Sequence, residues 1–215
     1  MIPKAGRGKR GRAQAEARSD DLLDAALELF TKKGFAETRV EEIAARAGVS
    51  KGTVYLYFPS KEEVIYAIVR RAVTPIADHA LKMIGGFEGD PRVAITLVAK
   101  MLGAKLADPE FTAVPRLIIR EVQGFPGLAE MYRREVLDRM IPGVEALIQR
   151  GIDQGYLRRV DPGLTIRSVV GPIFFHVVMA KVFGLMPQDG LALDRLIDNH
   201  LAILFDGLSA PGSGT

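Results

Sequence analysis

The chain contains no cysteine, and only three histidines in 215 residues. Without cysteine, disulfides and thiolate metal sites are excluded, and a reducing compartment is compatible. His79, His176 and His200 lie far apart, with no H-E-x-x-H or comparable ligand spacing, so no metal and no cofactor is expected. Long hydrophobic runs are missing too. The longest, Val169 to Ala180, is interrupted by Gly171, Pro172 and His176 and closed by Lys181. That falls short of the roughly 20 apolar residues of a membrane span. The start is basic and lacks the apolar run of a signal peptide, so a cytoplasmic protein with no membrane partner is the expectation. Gly6, Gly8 and Gly11 match the G-x-G-x-x-G fingerprint literally, but no strand precedes them and no βαβ unit surrounds them, so no dinucleotide site follows.

What the chain does have is charge of uneven distribution and a strong helical period. Residues 1–61 hold twelve Lys/Arg against eight acids, a net of +4, whereas the remainder carries 17 against 18, a net of −1. The positive charge sits where a polyanion would be engaged. Hydrophobic residues make up 48% and charged residues 26%, ordinary for a globular protein.

Residues 1–18 are basic and glycine-containing with little to pack, and read as a flexible arm whose Lys4, Arg7, Lys9, Arg10 and Arg12 would meet DNA. Ser19 with Asp20 and Asp21 reads as the start of a first helix, and Gly34 as its end. Thr38-x-x-Glu41 and Ser60-x-x-Glu63 have the form of capping boxes. Asp90-Pro91 and Asp161-Pro162 each suggest an N-cap followed by proline at the first helical position. Gly85, Gly86 and Gly89 suggest a hinge. Helices are expected at about 61–84, 91–107, 112–123, 127–153, 162–184 and 191–207, with Pro115, Pro142 and Pro172 kinking or interrupting them. No segment shows sustained period-2 alternation. The fold class is all-α.

The segment Thr38–Lys61 carries the functional signal. Val40, Ile43, Ala44 and Ala47 recur at helical spacing, and the two small residues Ala44 and Ala47 permit a close helix crossing. Gly48 suits the left-handed turn that ends this helix, and Ser50 can cap a second helix stopping before Pro59. Val54 and Phe58, four apart, should face inward. Lys51, Gly52, Thr53, Tyr55 and Tyr57 are then available to a DNA groove: lysine for phosphate or guanine, glycine for close approach, threonine for phosphate or a thymine methyl. Lys61 can hold a phosphate strand from the side.

The stretch EEIAARAGVSKGTVYLYFPSKEEV, with ALELFTKKGFAETRVEEIA before it, is similar to the amino-terminal signature of the tetracycline-repressor (TetR/AcrR) family. The resemblance begins near Leu23 and fades after about Val69. It implies an amino-terminal helix-turn-helix three-helix domain at 19–67 and a larger helical ligand-binding and dimerisation domain at 68–208; the tail 209–215, SAPGSGT, reads as disordered by its composition. It also implies that Ser50, Lys51, Gly52, Thr53, Tyr55 and Tyr57 belong to the DNA-reading helix, and that Thr38, Arg39 and Lys61 meet phosphates. Many members carry threonine where this chain has Arg39.

The partners so implied are a double-stranded DNA operator, a small-molecule effector, and a second copy bound through the last two long helices. A ligand cavity is expected among Met101, Phe111, Phe125, Tyr132, Phe174, Phe175, His176 and Met179, which combine apolar bulk with a few polar tips. The function expected is that of a homodimeric repressor released from a pseudo-palindromic operator by a ligand. A constitutive DNA-binding regulator is the alternative. A helical enzyme has no nucleophile elbow, metal cluster or phosphate loop to support it.

Overall fold

A computed structural model of the protein describes residues 7–181 and 183–208. Among the described residues ten α-helices follow one another: α1 (Arg7–Lys33), α2 (Val40–Arg46), α3 (Lys51–Tyr57), α4 (Lys61–Gly85), α5 (Pro91–Ala107), α6 (Pro109–Glu121), α7 (Pro126–Tyr132), α8 (Asp138–Asp153), α9 (Pro162–Lys181) and α10 (Leu193–Leu208). A π-helical segment, Arg133–Leu137, joins α7 to α8. Among the described residues there is no strand, as the sequence anticipates.

Local chemistry sets most boundaries. Asp90 accepts from Arg92 N at 3.0 Å and Pro91 opens α5; Asp161 accepts from Leu164 N at 2.9 Å ahead of Pro162. Glu63 N donates to Ser60 Oγ at 3.2 Å at the start of α4. α4 ends at Gly85, and Gly89 turns the chain in a left-handed conformation (φ +97°) before α5. Pro115, Pro142 and Pro172 all lie inside helices, as does Pro75 of α4. The π-helical segment ends next to residue 138, whose carbonyl Pro142 has no N–H to claim.

Two expectations about helix starts are corrected. α1 begins at Arg7, so Ser19 lies inside it. The run Arg12–Arg18, RAQAEAR, consists of strong helix formers and propagates the helix without an apolar stripe. The cap of α2 is Arg39 and not Thr38. Arg39 N donates to Glu42 Oε2 at 2.8 Å, so half of a capping box exists one residue later than predicted. Lys4 and the tail 209–215 lie outside the described residues.

The chain forms two compact units. One comprises the described residues up to Ala72 together with Ala113–Met131; the other comprises Val73–Thr112 and the chain from Tyr132 onward. Residues 113–131, placed in the body by the sequence reading, therefore join the amino-terminal unit. In that unit Leu22, Ala26, Phe30, Ile43, Val54, Ile65, Leu117 and Leu128 are almost fully buried, each large side chain contributing about 1.5–3 kcal/mol.

The second unit has its own core, in which Ile84, Ile95, Ile148, Leu157, Ile173, Ile197 and Leu201 are buried. Missing side chains allow close packing there: a Cβ on Gly103 would lie 2.4 Å from Ile197 Cδ1, and one on Gly151 would lie 2.4 Å from Pro91 Cγ. Arg150 donates to Ile84 O at 3.2 Å at the end of α4, and Arg158 N to Leu208 O at 2.9 Å at the end of α10. These bonds satisfy helix-terminal carbonyls.

α9 corrects the membrane estimate in one respect. It runs through Gly171 and Pro172 for 20 residues and is long and apolar enough to cross a membrane by length and composition alone. Thr165, Val169, Ile173 and Ala180 of this helix are buried within the protein.

Candidate nucleic-acid interface

α2 and α3 form a tight helix-turn-helix. Val40, Ile43 and Ala44 are buried from α2, and Val54 and Phe58 from α3 and its end. Gly48 takes a left-handed conformation (φ +68°), Gly48 N donates to Ala45 O and Val49 N to Ala44 O, closing α2. Ser50 then caps α3: its hydroxyl accepts from Thr53 N at 3.1 Å and lies 2.9 Å from Thr53 Oγ1.

With Val54 and Phe58 turned inward, Lys51, Gly52, Tyr55 and Leu56 form the outward face of α3. Tyr55 is 44% exposed and Leu56 is 82% exposed. Thr53 and Tyr57 are half-buried beside this face, and the Tyr57 ring lies 6.4 Å from that of Phe58. The sequence reading named Lys51, Gly52 and Tyr55 on this face but passed over Leu56. The inward pair Val54 and Phe58 already fixed the helical phase that exposes it.

Lys51 is held by α2. Its ammonium lies 2.6 Å from Glu41 Oε1 and 5.7 Å from the centre of the Tyr55 ring. The hydrogen bond to Glu41, then the charge of Glu41 and the Tyr55 group, raise the Lys51 pKa above its ordinary value. The Lys51 ammonium in turn lowers that of Glu41. Any acceptor approaching this cation would have to compete with Glu41.

Three predicted phosphate contacts have different environments. Thr38 is 1% exposed, and its hydroxyl donates to Gly34 O at 2.7 Å. It is a structural residue, not a surface donor. Lys61 donates to Phe35 O (2.8 Å), Ala36 O (3.2 Å) and Thr38 O (3.0 Å). An ammonium has three protons, so these carbonyls match its full donor capacity, and a phosphate would have to compete with them. Arg39 remains exposed at the start of α2. Of the predicted arm, Arg7, Lys9, Arg10 and Arg12 lie on α1.

The loop gripped by Lys61 is also held from α6, which the sequence did not reveal. Arg120 donates to Thr31 O at 2.9 Å and to Phe30 O, at the end of α1. Glu121 Oε1 accepts from Phe35 N at 3.2 Å and from Arg120 Nε at 2.8 Å. The Phe35 ring stacks on Phe125 at 5.0 Å, and Phe125 stacks on Tyr66 at 5.5 Å. Residues of α6 and the turn after it thus complete the reading head.

The predicted ligand-lining residues have different surroundings. Phe125 belongs to this stack in the amino-terminal unit. Phe174 and Phe175 are exposed on α9, and His176 bonds Leu191 O at 2.7 Å. Burial raises the Tyr132 pKa above its ordinary value. Met101, Phe111 and Met179 are half-buried in the second unit. A groove of about 590 Å³ in that unit is lined by Ala104, Ala107, Lys181, Met186, Leu191 and Arg195 among others, and by none of the eight.

Known proteins match over both units. The family model described as bacterial regulatory proteins, tetR family, matches residues 22–68, and a tetracyclin repressor-like C-terminal domain model matches residues 88–198. The chain belongs to the TetR family. Its relatives include the HTH-type transcriptional regulator RutR of Escherichia coli K12, 30% identical over 207 residues and covering 94% of both chains. Solved structures share the fold. SmeT, repressor of the Stenotrophomonas maltophilia multidrug efflux pump SmeDEF, has a TM-score of 0.71 at 23% identity, covering 92% of this chain and 93% of its own. Bacillus subtilis FadR, solved with stearoyl-CoA, has a TM-score of 0.71 at 23% identity, covering 87% and 97%. As a TetR-family member the protein is a helix-turn-helix, DNA-binding transcriptional regulator.

Proposed function

We propose that the protein is a cytoplasmic, homodimeric repressor that leaves a pseudo-palindromic operator when a small apolar or amphipathic ligand binds its body. The observation that carries this reading is the outward face of α3, where a cation, a glycine, a tyrosine and a leucine face solvent on a short helix fixed by its inward residues. One such helix reads few base pairs, so two-fold pairing supplies the second half-site.

The apolar surface of α9 and α10 supports the dimer. Val170 and Phe174 stand one turn apart on α9, Phe175 is 61% exposed beside them, and Ile203 is exposed on α10. Apposed helices from two copies would remove this surface from water in a four-helix arrangement.

The groove lined by Ala104, Ala107, Met186 and Leu191 supports an effector with an apolar body, and its volume is in the range of small-molecule sites; Lys181 and Asp194 both line it, and Arg195 is paired with Asp189. SmeT has been solved with triclosan and FadR with stearoyl-CoA. A ligand releases the operator only by favouring one conformation, so DNA and ligand must weaken each other reciprocally. A regulator that binds DNA constitutively is the second reading, since the groove is lined by none of the eight predicted residues.

Operator binding measured at rising concentrations of long-chain acyl-CoA and of hydrophobic phenols tests the effector. Weakened DNA binding with a raised melting temperature supports release. No change in either across such compounds leaves the constitutive reading. Sedimentation equilibrium of the wild type and Phe175→Glu tests the dimer: the account requires a dimer that the variant converts to monomer, and a monomeric wild type would contradict it.

A further inference from the structure

Two residues on the outward face of α3 are not explained by the fold. Gly52 sits at the second position of α3, and a Cβ there would meet only Ser50 Oγ, at 3.8 Å. Nothing inside the protein requires a glycine at this point. Alanine is the better helix former, so the fold alone favours a side chain here.

Four residues later, Leu56 is 82% exposed, more than any other large apolar side chain described. It follows Tyr55 and faces away from Val54 and Phe58. A leucine left in water draws no stability from burial. Both anomalies disappear if a partner lies against this face. The missing Cβ at Gly52 lets the helix backbone come close, and one turn on Leu56 then meets apolar surface. In the major groove of duplex DNA, the apolar surface on the base edges is the C5-methyl group of thymine.

We propose that Leu56 is a sequence-determining contact to thymine methyl groups, brought within reach by close approach of α3 at Gly52. The inference rests on the α3 face being the DNA-reading surface. Lys51 and Tyr55, one turn apart on the adjoining flank of the same face, supply polar contacts, whereas Leu56 distinguishes thymine from a base that lacks the methyl.

The test begins by selecting duplexes from a random library with the wild-type protein. Each thymine of the enriched half-site is then replaced by deoxyuridine, which removes only the methyl group. At one or two positions the wild type should lose about fourfold in affinity per methyl, the equivalent of one buried carbon. Leu56→Ala should start weaker on the thymine duplex by a similar factor and show no further loss with deoxyuridine. Gly52→Ala should melt no lower than the wild type yet bind the same duplex several-fold more weakly.

The proposal is overturned if Leu56→Ala responds to each deoxyuridine as the wild type does, or if the wild type responds at no thymine. Equal DNA affinity of folded Gly52→Ala overturns the close approach. A wild type that enriches no sequence sinks the DNA-reading face and this inference together, and is distinguishable from the other outcomes at the first step.

Discussion

The Lys61 ammonium lies 4.4 Å from the centre of the Phe35 ring and donates to the Phe35 carbonyl at 2.8 Å. The first residue of α4 thereby fastens the loop that follows α1, and two further carbonyls, of Ala36 and Thr38, complete its hydrogen bonds. A residue at the edge of a DNA-binding motif is here a strut inside the reading head.

Lys61→Ala should therefore cost about 2 kcal/mol of stability, from lost charge-assisted hydrogen bonds and the ring contact. Urea unfolding measures this directly. DNA affinity should fall with the weakened head while the slope of log affinity against log salt stays constant. A slope reduced by about one, with unchanged stability, would restore the phosphate role.

Arg120→Ala should destabilise by about 1–2 kcal/mol, because it strips donors from the Phe30 and Thr31 carbonyls and leaves Glu121 without its ion pair. Hydrogen exchange should quicken at residues 34–38 in particular. Unchanged exchange there would show that Arg120 does not hold this loop.

Glu41→Gln should tighten DNA binding about two- to fivefold, since it frees Lys51 from an exposed carboxylate and removes a negative charge near phosphates. The pKa shifts set the pH behaviour of the pair. Glu41, depressed below its usual 4.5, keeps its contribution above that value and loses it as pH falls through the folded pKa. Lys51, raised above 10.5, keeps its contribution below that value and loses it as pH rises through the folded pKa. The wild-type to Glu41→Gln affinity ratio should thus be flat from about pH 6 to 9. A ratio that titrates within that window would assign the effect to another group.

Asp90→Ala should cost about 1 kcal/mol at neutral pH by removing the cap of α5. Burial raises the Asp90 pKa, but the hydrogen bonds and charge of Arg92 outweigh it, and the net value lies below the ordinary 3.8. The depressed-carboxylate rule applies: this stability is complete above about 3.8 and fades as pH falls through the folded value. Denaturation at several pH values should show the mutant deficit shrinking only in strong acid. A deficit constant to the lowest pH would exclude the carboxylate as its source.

These predictions divide between features written in the sequence and features that are not. Gly48, Ser50, Ser60, Asp90 and Asp161 were legible because caps and turns depend on neighbours within four residues. The inward phase of Val54 and Phe58 was legible for the same reason. The environment of Lys61 was not, because three carbonyls from residues 35–38 converge on it only once the loop is folded. Arg120 and Phe125 lie some ninety residues from their partners on α1 and the loop after it, beyond any periodicity. The start of α1 is not legible because Gly8 and Gly11 lie in its first turns and Arg12–Arg18, though helix-forming in composition, has no apolar face to mark it. The stacking of Phe125 on Phe35 and Tyr66 was not legible either, because apolar bulk alone does not tell a core stack from a pocket wall.

The most direct test of DNA reading by the α3 face is fluorescence anisotropy with labelled duplex from upstream of the protein's own gene. The wild type is compared with a Lys51→Ala/Tyr55→Ala variant at two salt concentrations, with melting curves for both. The account predicts tight, competitor-resistant binding by the wild type that the variant loses while its melting temperature is kept. Equal binding by both proteins, vanishing together as salt rises, would contradict it and leave only non-specific attraction to the basic amino-terminal end.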